Sequence, residues 1–260
     1  MSTDKALQVS GLAKHFGGVR ALDGVDFEVS SGQCVALIGP NGAGKSTCFA
    51  CLAGQQVPTS GEVLWQGLSL LDKSPAERQR LGVARTFQVA QTFEALTVLQ
   101  NIQLVLRSAK PLAWWDRLDH RNAHQARQLA EQAGLQSQAQ ATVADLPYGA
   151  KKRLELAMAL AGLPEPGADP SGPLLLLDEP AAGLALAERA DMMALVRQVA
   201  LQGVTVLYTE HNMDAVFGVA DRVLVLMQGR LVADGLPEAV AQDPEVRERY
   251  LGHDFEMKGL

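Results

Sequence analysis

Residues 35–53 read VALIGPNGAGKSTCFACLA, and this segment gives the strongest indication of the fold. Four apolar residues at 35–38 have the pattern of a buried strand. A glycine-rich turn follows at 39–44, and then a segment of helical character. The turn completes the pattern G-x-x-x-x-G-K-[ST], whose backbone N–H groups surround a phosphate at the amino terminus of a helix. The stretch therefore predicts a strand, a phosphate-binding loop (P-loop) and a helix.

Two side chains of this loop have predicted roles in nucleotide binding. Lys45 is expected to reach the β and γ phosphates, and the Ser46 hydroxyl to ligate Mg²⁺. The alternative is a glycine-rich turn without a ligand, which is disfavoured because every fixed position of the pattern is filled. The residues predicted to bind the nucleotide here are Gly39, Pro40, Asn41, Gly42, Ala43, Gly44, Lys45, Ser46 and Thr47.

A second apolar run, residues 174–177, ends in the carboxylates Asp178 and Glu179. Asp178 is predicted to hold Mg²⁺ through water, because that ion keeps much of its hydration. Glu179 is then free to orient and deprotonate an attacking water. Acidic residues commonly end strands, so this pattern is weak alone and gains its force from the P-loop upstream.

Composition excludes several classes of protein. The 260 residues are 47% apolar, which is ample for a packed core. The net charge is −6 without a long Lys/Arg run, so no nucleic-acid partner is expected. No apolar run approaches the roughly 18 to 20 residues that span a bilayer, and the start lacks a signal-peptide core, so a cytosolic chain is expected. Cys34, Cys48 and Cys51 are predicted to be reduced core residues.

The order of apolar segments predicts an α/β fold. Strand-like runs alternate with helical periodicity, which favours a parallel sheet with helices on both sides; the runs lie at residues 33–38, 174–178, 204–209 and 222–227. Glycine-bounded β-prone segments favour antiparallel hairpins in a small β lobe, and they lie at residues 19–29, 61–67 and 229–235. Residues 74–140 have helical spacing, and SPAE at 74–77 predicts a capped helix start.

The P-loop and the carboxylates that follow residues 174–177 resemble those of the nucleotide-binding subunits of ABC transporters, and the likeness covers residues 7–252. Five segments carry a closer likeness to one branch of that family. They are ARTFQ at 84–88, LPYG at 146–149, DEPAAGL at 178–184, EHNMDAV at 210–216 and DPEVRERYLG at 243–252. Within that family the chain is most similar to uptake transporters for branched-chain (hydrophobic) amino acids. Urea and amide transporters share the pattern.

The resemblance implies a P-loop NTPase core of the ABC type with an antiparallel β subdomain and an inserted α-helical subdomain. It implies one nucleotide-binding domain at residues 5–252, followed by a short tail at 253–260. The implied parts are a β lobe with the P-loop at 5–73, a mainly helical lobe with the signature segment at 74–162, and the rest of the core at 173–252.

The resemblance also assigns three residues outside the P-loop and the carboxylates. Phe16 matches the aromatic residue that stacks on adenine, with packing inside the β lobe as its alternative role. Gln88 matches the glutamine that senses Mg²⁺ and water and meets the permease. His211 matches the switch histidine, which contacts the γ phosphate and positions Glu179. The implied catalytic residues are Glu179, His211, Gln88 and Lys45, and the implied metal-site residues are Ser46, Gln88 and, through water, Asp178.

The signature segment departs from the family pattern, which reads LSGGQ or LSYGQ and binds the γ phosphate held by the opposite subunit of a dimer. Its residues here are Leu146, Pro147, Tyr148, Gly149 and Ala150. Pro147 replaces the serine and offers neither a hydroxyl nor a backbone N–H, and Ala150 replaces the glutamine. Lys151 and Lys152 either offset part of the loss or form a solvated face. Further on, Ala185 and Leu186 replace the family's Asp or Asn and the following Pro.

The resemblance implies an ATP-binding and ATP-hydrolysing subunit that powers an importer, with ATP and Mg²⁺ as ligands. Because the departures lie on the face offered to a partner, a second, non-identical ABC ATPase is expected, with a homodimer as the alternative. Two permease subunits and, indirectly, a periplasmic or extracellular binding protein are the other implied partners, which places the chain on the inner face of the cell membrane. The alternatives are a non-transport ABC ATPase or a nucleotide-dependent assembly or regulatory module with weak turnover.

Overall fold

The protein is represented by a computed structural model that describes residues 5–86, 92–106, 122–164, 172–252 and 255. Its centre is a six-stranded sheet in the order β10-β9-β3-β8-β7-β6. Neighbouring strands are parallel except for β10, which runs antiparallel to β9. The strands are β3 (Cys34–Ile38), β6 (Val83–Arg85), β7 (Leu174–Asp178), β8 (Thr205–Thr209), β9 (Arg222–Met227) and β10 (Arg230–Gly235). The predicted α/β fold is confirmed.

A second sheet is antiparallel and has the order β2-β1-β4-β5. Its strands are β1 (Lys5–Phe16), β2 (Val19–Ser30), β4 (Ser60–Trp65) and β5 (Leu68–Ser69). This is the predicted β lobe, with one difference. The segment at 229–235 pairs with β9 at the edge of the six-stranded sheet, because the short turn after Met227 returns the chain beside the strand it has just left.

Nine helices are assigned within the described residues. They are α1 (Lys45–Leu52), α2 (Pro75–Arg80), α3 (Val98–Val105), α4 (Ala123–Gln132), α5 (Tyr148–Ala161), α6 (Leu186–Leu201), α7 (Met213–Phe217), α8 (Pro237–Gln242) and α9 (Pro244–Val246). Short 3₁₀ turns occupy Gln136–Gln138 and Val143–Asp145, and a π-helical turn occupies Arg247–Leu251. None of the helices in the described ranges is long and apolar enough to cross a membrane.

The strand β6 lies inside the stretch for which helical character was predicted. It has only three residues, too few to show a period in the sequence, and it forms because it pairs in parallel with β7. The helix before it, α2, has the capped start that SPAE predicts, since Ser74 and Glu77 exchange hydrogen bonds in a capping box.

The central strands β3, β7, β8 and β9 of the six-stranded sheet are buried on both faces, which explains why they are continuous apolar runs. One face packs against α6 and α7 through side chains such as Ile38, Leu177 and Tyr208. The other packs against α1 and the β lobe through side chains such as Leu37 and Leu176. A third cluster joins α3, α4 and α5 into a separate helical core.

The three cysteines are free and buried, as predicted. Burial raises the pKa of the Cys34 thiol to about 12 and raises the pKa values of Cys48 and Cys51 as well. Cys48 and Cys51 are three residues apart on α1. All three thiols are therefore kept protonated and unreactive at neutral pH.

Arg78 fastens α2 to the end of α1. Its Nη1 donates to the carbonyls of Cys51 and Leu52 at 2.6 and 2.7 Å, its Nε donates to Lys73 O at 3.0 Å, and only 2% of the residue is exposed. We expect Arg78→Met to lower the free energy of unfolding by about 2 kcal/mol, because buried carbonyls at the end of α1 lose a charged donor. Urea denaturation measures the loss.

The matched control is Arg80→Met, which removes an exposed arginine from the same helix. It is expected to change the unfolding free energy by less than about 0.5 kcal/mol. Equal losses in the two variants would show that the carbonyl contacts of Arg78 contribute nothing specific.

Candidate functional site

The P-loop connects β3 to α1 and depends on its glycines. Gly39 and Gly44 have φ values of 145° and 108°. A Cβ added at Gly39 would lie 1.9 Å from the Leu226 carbonyl oxygen, and one at Gly44 would lie 2.3 Å from the Ala21 carbonyl oxygen. Gly44 is also the N-cap of α1 and offers no side chain to its first N–H groups. Those donors are therefore directed into the loop, where a phosphate would accept from them.

Lys45 lies inside this loop. Its Nζ donates to Gly39 O at 2.6 Å and to Pro40 O at 3.1 Å, and the residue is 7% exposed. Burial lowers the pKa of the ammonium, and the nearby carboxylates of Glu179 and Asp178 partly oppose that shift. The Lys45 charge is thus placed between the loop and the two carboxylates at the end of β7.

Asp178 is held at both carboxylate oxygens. Thr209 Oγ1 donates to Oδ1 at 2.8 Å, and Arg85 Nη2 donates to Oδ2 at 2.8 Å. The backbone N–H of Asp178 donates to Thr86 Oγ1 at 3.3 Å. Residues at the ends of β6 and β8 therefore fix a carboxylate at the end of β7, in a position that is 4% exposed.

Glu179 follows in a left-handed conformation, with φ 50°. Non-glycine residues rarely adopt this region, and it is enriched at functional sites. The backbone N–H of Glu179 donates to Thr209 Oγ1 at 3.0 Å. The carboxylate Oε1 lies 2.6 Å from Nε2 of His211, and the two side chains are 25% and 45% exposed. This turn directs Glu179 toward the histidine and away from the sheet.

Glu210 ties the loop that carries His211 to the loop after Glu179. Its Oε1 accepts from the Ala181 N–H at 2.8 Å, and its Oε2 accepts from the His211 N–H at 3.1 Å. The residue is 3% exposed. The separation of Glu179 and His211 therefore depends on a buried carboxylate that bridges the two loops.

Sequence reasoning did not identify Arg85, Thr209 or Glu210 as parts of the site. Arg85 lies in the quoted ARTFQ segment and Glu210 in EHNMDAV, yet neither was assigned a role. The only signal was that all three are polar residues at the ends of predicted or real strands. Which of them meet depends on the order of strands in the sheet, and the sequence does not state that order.

Phe16 and Gln88 are the two other residues predicted to bind the ligand. Phe16 ends β1 with 47% of its surface exposed, and Lys14 Nζ lies 5.0 Å from its ring centroid. Phe16 is thus partly exposed to solvent, with the Lys14 ammonium over its ring. Gln88 lies outside the described residues.

The signature segment begins α5, with Pro147 as N-cap. Tyr148 Oη donates to Ala182 O at 3.3 Å, so the segment packs against the loop that follows Glu179. Gly149 lies close to Glu188, since a Cβ there would be 2.7 Å from Oε1 of that side chain. The start of α5 therefore lies against the first turn of α6.

The lysines after the signature segment have partners within the protein. Lys152 is 6% exposed and its Nζ lies 3.2 Å from Glu155 Oε2, while Lys151 Nζ lies 3.7 Å from Glu94 Oε1. Lys152 is therefore part of the packed interior of the helical lobe, and neither the predicted compensating charge nor the predicted solvated face describes it.

A cleft of about 660 Å³ separates the helical core from the six-stranded sheet. Its walls are mainly apolar and come from α2, β6, α3 and α5. They include Ala76, Val83, Arg85, Phe93, Val105 and Met158. Phe93 is 59% exposed at its edge.

The oxygens near the P-loop suit a hard cation such as Mg²⁺. Ser46 is exposed at the start of α1, and the Asp178 oxygens each accept one hydrogen bond and keep a second lone pair. Across the described part of the chain, no group of three His, Cys, Asp or Glu residues forms a metal site by itself. The donor set therefore fits a cation that is also ligated by phosphate and water, as Mg²⁺ usually is.

Comparison with known proteins gave consistent results. Residues 22–182 match the family model described as ABC transporter, and residues 230–256 match the one described as branched-chain amino acid ATP-binding cassette transporter. Two relatives are the high-affinity branched-chain amino acid transport ATP-binding proteins BraF of Pseudomonas aeruginosa and LivG of Escherichia coli. Each is 35% identical over 256 residues, covering 95% of this chain and 97% of the relative.

Solved structures of ATP-binding cassettes from ABC transporters are also similar to this chain. A nucleotide-free ATP-binding cassette from an ABC transporter superposes with a TM-score of 0.82 at 29% identity, covering 96% of this chain and 100% of the other. The ADP conformation of an ATP-binding cassette of an ABC transporter superposes with a TM-score of 0.82 at 30% identity, covering 96% of this chain and 99% of the other.

Proposed function

This chain belongs to the ABC transporter family as an ATP-hydrolysing subunit, and from that membership we propose that it powers the import of branched-chain amino acids. The observation that carries the substrate is the match of residues 230–256 to the branched-chain amino acid family model. Residues 5–252 are proposed to form a single nucleotide-binding domain.

The substrate is tested by deleting the gene in its host and measuring uptake of labelled leucine, urea and a short amide. Leucine uptake is expected to fall, and the intact gene should restore it. Loss of urea or amide uptake with unchanged leucine uptake would contradict the proposed substrate.

The proposed chemistry is attack of water on the γ phosphate of ATP. Glu179 orients this water and accepts its proton, and His211 holds the Glu179 carboxylate by the 2.6 Å contact. Lys45 leaves the carbonyls of Gly39 and Pro40 to neutralise phosphate oxygens, since a charged phosphate is a stronger partner than a carbonyl. Phe16 stacks on the adenine, and Gln88 senses the metal and the water.

Ser46 and Asp178 are the proposed protein partners of Mg²⁺, Asp178 through water. When bound, Mg²⁺ neutralises charge on the β and γ phosphates. What this chain contributes is the fixed direction of the Asp178 carboxylate, which Thr209 and Arg85 hold from either side.

The proposed partners are two permease subunits, which would hold this chain at the inner, cytoplasmic face of the membrane and receive substrate from a periplasmic or extracellular binding protein. The apolar cleft between the helical core and the sheet supports a permease contact. Arg85 and Thr86 lead from this cleft directly to the segment that contains Gln88.

A substitution at Ala76 tests the proposed permease contact. Ala76 is exposed on α2 and lines the cleft. We expect Ala76→Glu to weaken assembly with the permeases about 10-fold, because an unpaired carboxylate would be buried in the contact. Copurification with the permeases measures assembly. Ala239→Glu, an exposed position on α8, is the matched control, and equal weakening by both variants would argue against the cleft.

The proposed ATPase partner is a second, non-identical ABC subunit. Pro147 and Ala150 offer no polar side chain to an opposite nucleotide, and Ala185 and Leu186 alter the loop next to them. Lys151 and Lys152 are already paired with Glu94 and Glu155. This chain therefore presents one complete half-site, around Lys45, and one weak half-site, around Pro147.

A nucleotide-binding module with weak turnover is the second candidate, and the altered signature segment favours it. Phosphate release with and without the partner subunits separates the two functions. An ATPase subunit releases phosphate readily in the complex, whereas a module with weak turnover binds ATP and releases little phosphate in either state.

A further inference from the structure

The ends of β6, β7 and β8 meet at the Asp178 carboxylate. We infer that Arg85 is a positioning residue that holds Asp178 in the orientation needed to bind a divalent cation together with ATP. The inference rests on the proposed Mg²⁺ role of Asp178 and adds a residue that the family resemblance did not assign.

The strand register brings Arg85 to this place. In the parallel pair of β6 and β7, Arg85 is opposite Leu176, which lies two residues before Asp178 on β7. Its Nη2 reaches Asp178 Oδ2 at 2.8 Å, and the two side chains are 11% and 3% exposed. Such a pair is shielded from water and salt, so it is much less weakened by solvent than a surface pair.

The guanidinium is itself held in place by the segment that carries the P-loop helix. Nη1 donates to Gln55 Oε1, just beyond α1, and Cζ lies 5.9 Å from the ring centroid of Phe49 on α1. Nε has no hydrogen-bond partner among the described residues. Arg85 therefore links the helix that begins at the P-loop to the carboxylate at the end of β7.

The contacts of Asp178 leave it suited to bind metal-bound water. Thr209 occupies one lone pair of Oδ1, and Arg85 occupies one lone pair of Oδ2. A carboxylate oxygen has two such sites, so one remains on each oxygen. Without Arg85, Oδ2 would keep no hydrogen-bond donor among the described residues, and the carboxylate would be free to turn about its Thr209 contact.

The planar fork of arginine matters as well as its charge. One guanidinium donor reaches Asp178 while another reaches Gln55, which fixes the direction of both. A lysine ammonium supplies the charge as a single point on a flexible stem. Arg85→Lys should therefore restore part of the function that Arg85→Met removes.

The test measures Mn²⁺ binding to the ATP complex by electron paramagnetic resonance, in chains carrying Glu179→Gln to prevent hydrolysis. We expect Arg85→Met to weaken Mn²⁺ binding about 10-fold, the lower end of the effect of removing a partner of a metal ligand. The affinity of Arg85→Lys for Mn²⁺ should lie between that of Arg85→Met and that of the chain with Arg85 intact. Binding of ATP in EDTA should stay within about 2-fold, because the P-loop contacts are unchanged. Arg80→Met, exposed on α2, is the control and should bind Mn²⁺ normally.

Three results would overturn the inference. Unchanged Mn²⁺ binding in Arg85→Met would show that Asp178 is held well enough without it. Tighter binding would show that Arg85 only competes with the cation for the carboxylate. If Mn²⁺ binding and ATP binding in EDTA are weakened equally, in both Arg85→Met and Arg85→Lys, the substitutions cause a general structural defect. If the chain with Arg85 intact binds no Mn²⁺ with ATP, the proposed metal role of Asp178 fails instead.

Discussion

Replacing Glu179 with glutamine should lower ATP turnover by about two to four orders of magnitude, the usual contribution of a general base, and should leave ATP binding intact. The amide has nearly the shape of the carboxylate but does not accept the proton of the attacking water. The left-handed turn at Glu179 and the hydrogen bond to Thr209 Oγ1 involve only the backbone of Glu179, so the substitution preserves them. Phosphate release in the assembled transporter and binding of a fluorescent ATP analogue measure the two effects.

Glu238→Gln is the matched control, since Glu238 is an exposed glutamate on α8. It is expected to leave both measurements unchanged. If Glu179→Gln retains turnover within about 10-fold, Glu179 is not the base, because the smallest usual contribution of general-base catalysis exceeds that factor.

The P-loop was predictable because it is a local structure. Its glycines and lysine occur at fixed spacings, and the strand before it and the helix after it are set by neighbouring residues. Even there, the reason that Gly39 has no side chain lies outside the motif. Its Cβ would meet the Leu226 carbonyl on β9, which is next to β3 only because of the strand order.

The contacts that orient the Asp178 carboxylate were not predictable in this way. Thr209 reaches Asp178 across a gap of 31 residues, and Arg85 reaches it across a gap of 93. Their roles depend on β6 and β8 flanking β7. A polar residue at a strand end is common in any α/β sequence, so only the sheet order separates these two from the others.

The carboxylates and histidine of the site form a layered arrangement. Buried Asp178 and Glu210 accept hydrogen bonds and fix the loops, while Glu179 and His211 are more exposed. The first pair sets the geometry of the loops, and the side chains of the second pair are accessible from solvent. This division explains why a change at Glu179 should affect turnover without disturbing the fold.

Restoring the signature segment to the family pattern is expected to raise ATP turnover. In a heterodimer whose Glu179 is already replaced by glutamine, turnover comes from the sibling's nucleotide, which faces Pro147. We expect Pro147→Ser with Ala150→Gln to raise that turnover by about 10-fold or more, since each hydrogen bond to a charged phosphate contributes about 1.5 to 3 kcal/mol. Steady-state phosphate release measures the gain.

The structure provides room for both restored side chains. Pro147 has φ −57° and ψ 153°, close to the −63° and 160° of Ser74, which already acts as an N-cap before α2. A serine at 147 therefore adopts the same conformation without strain and regains a backbone N–H. Beside Ala150 lies a cavity of about 190 Å³, which is large enough for a glutamine side chain.

Pro244→Ser, at an exposed proline that begins α9, is the control and should not raise turnover. The sibling's own catalytic glutamate provides the converse experiment. When it is replaced and Glu179 is intact, hydrolysis should persist, because in the proposed heterodimer the site around Lys45 would face the signature segment of the sibling. If hydrolysis instead stops in that mixture and continues when only Glu179 is replaced, the working site is the one that faces Pro147, and the proposed asymmetry is reversed.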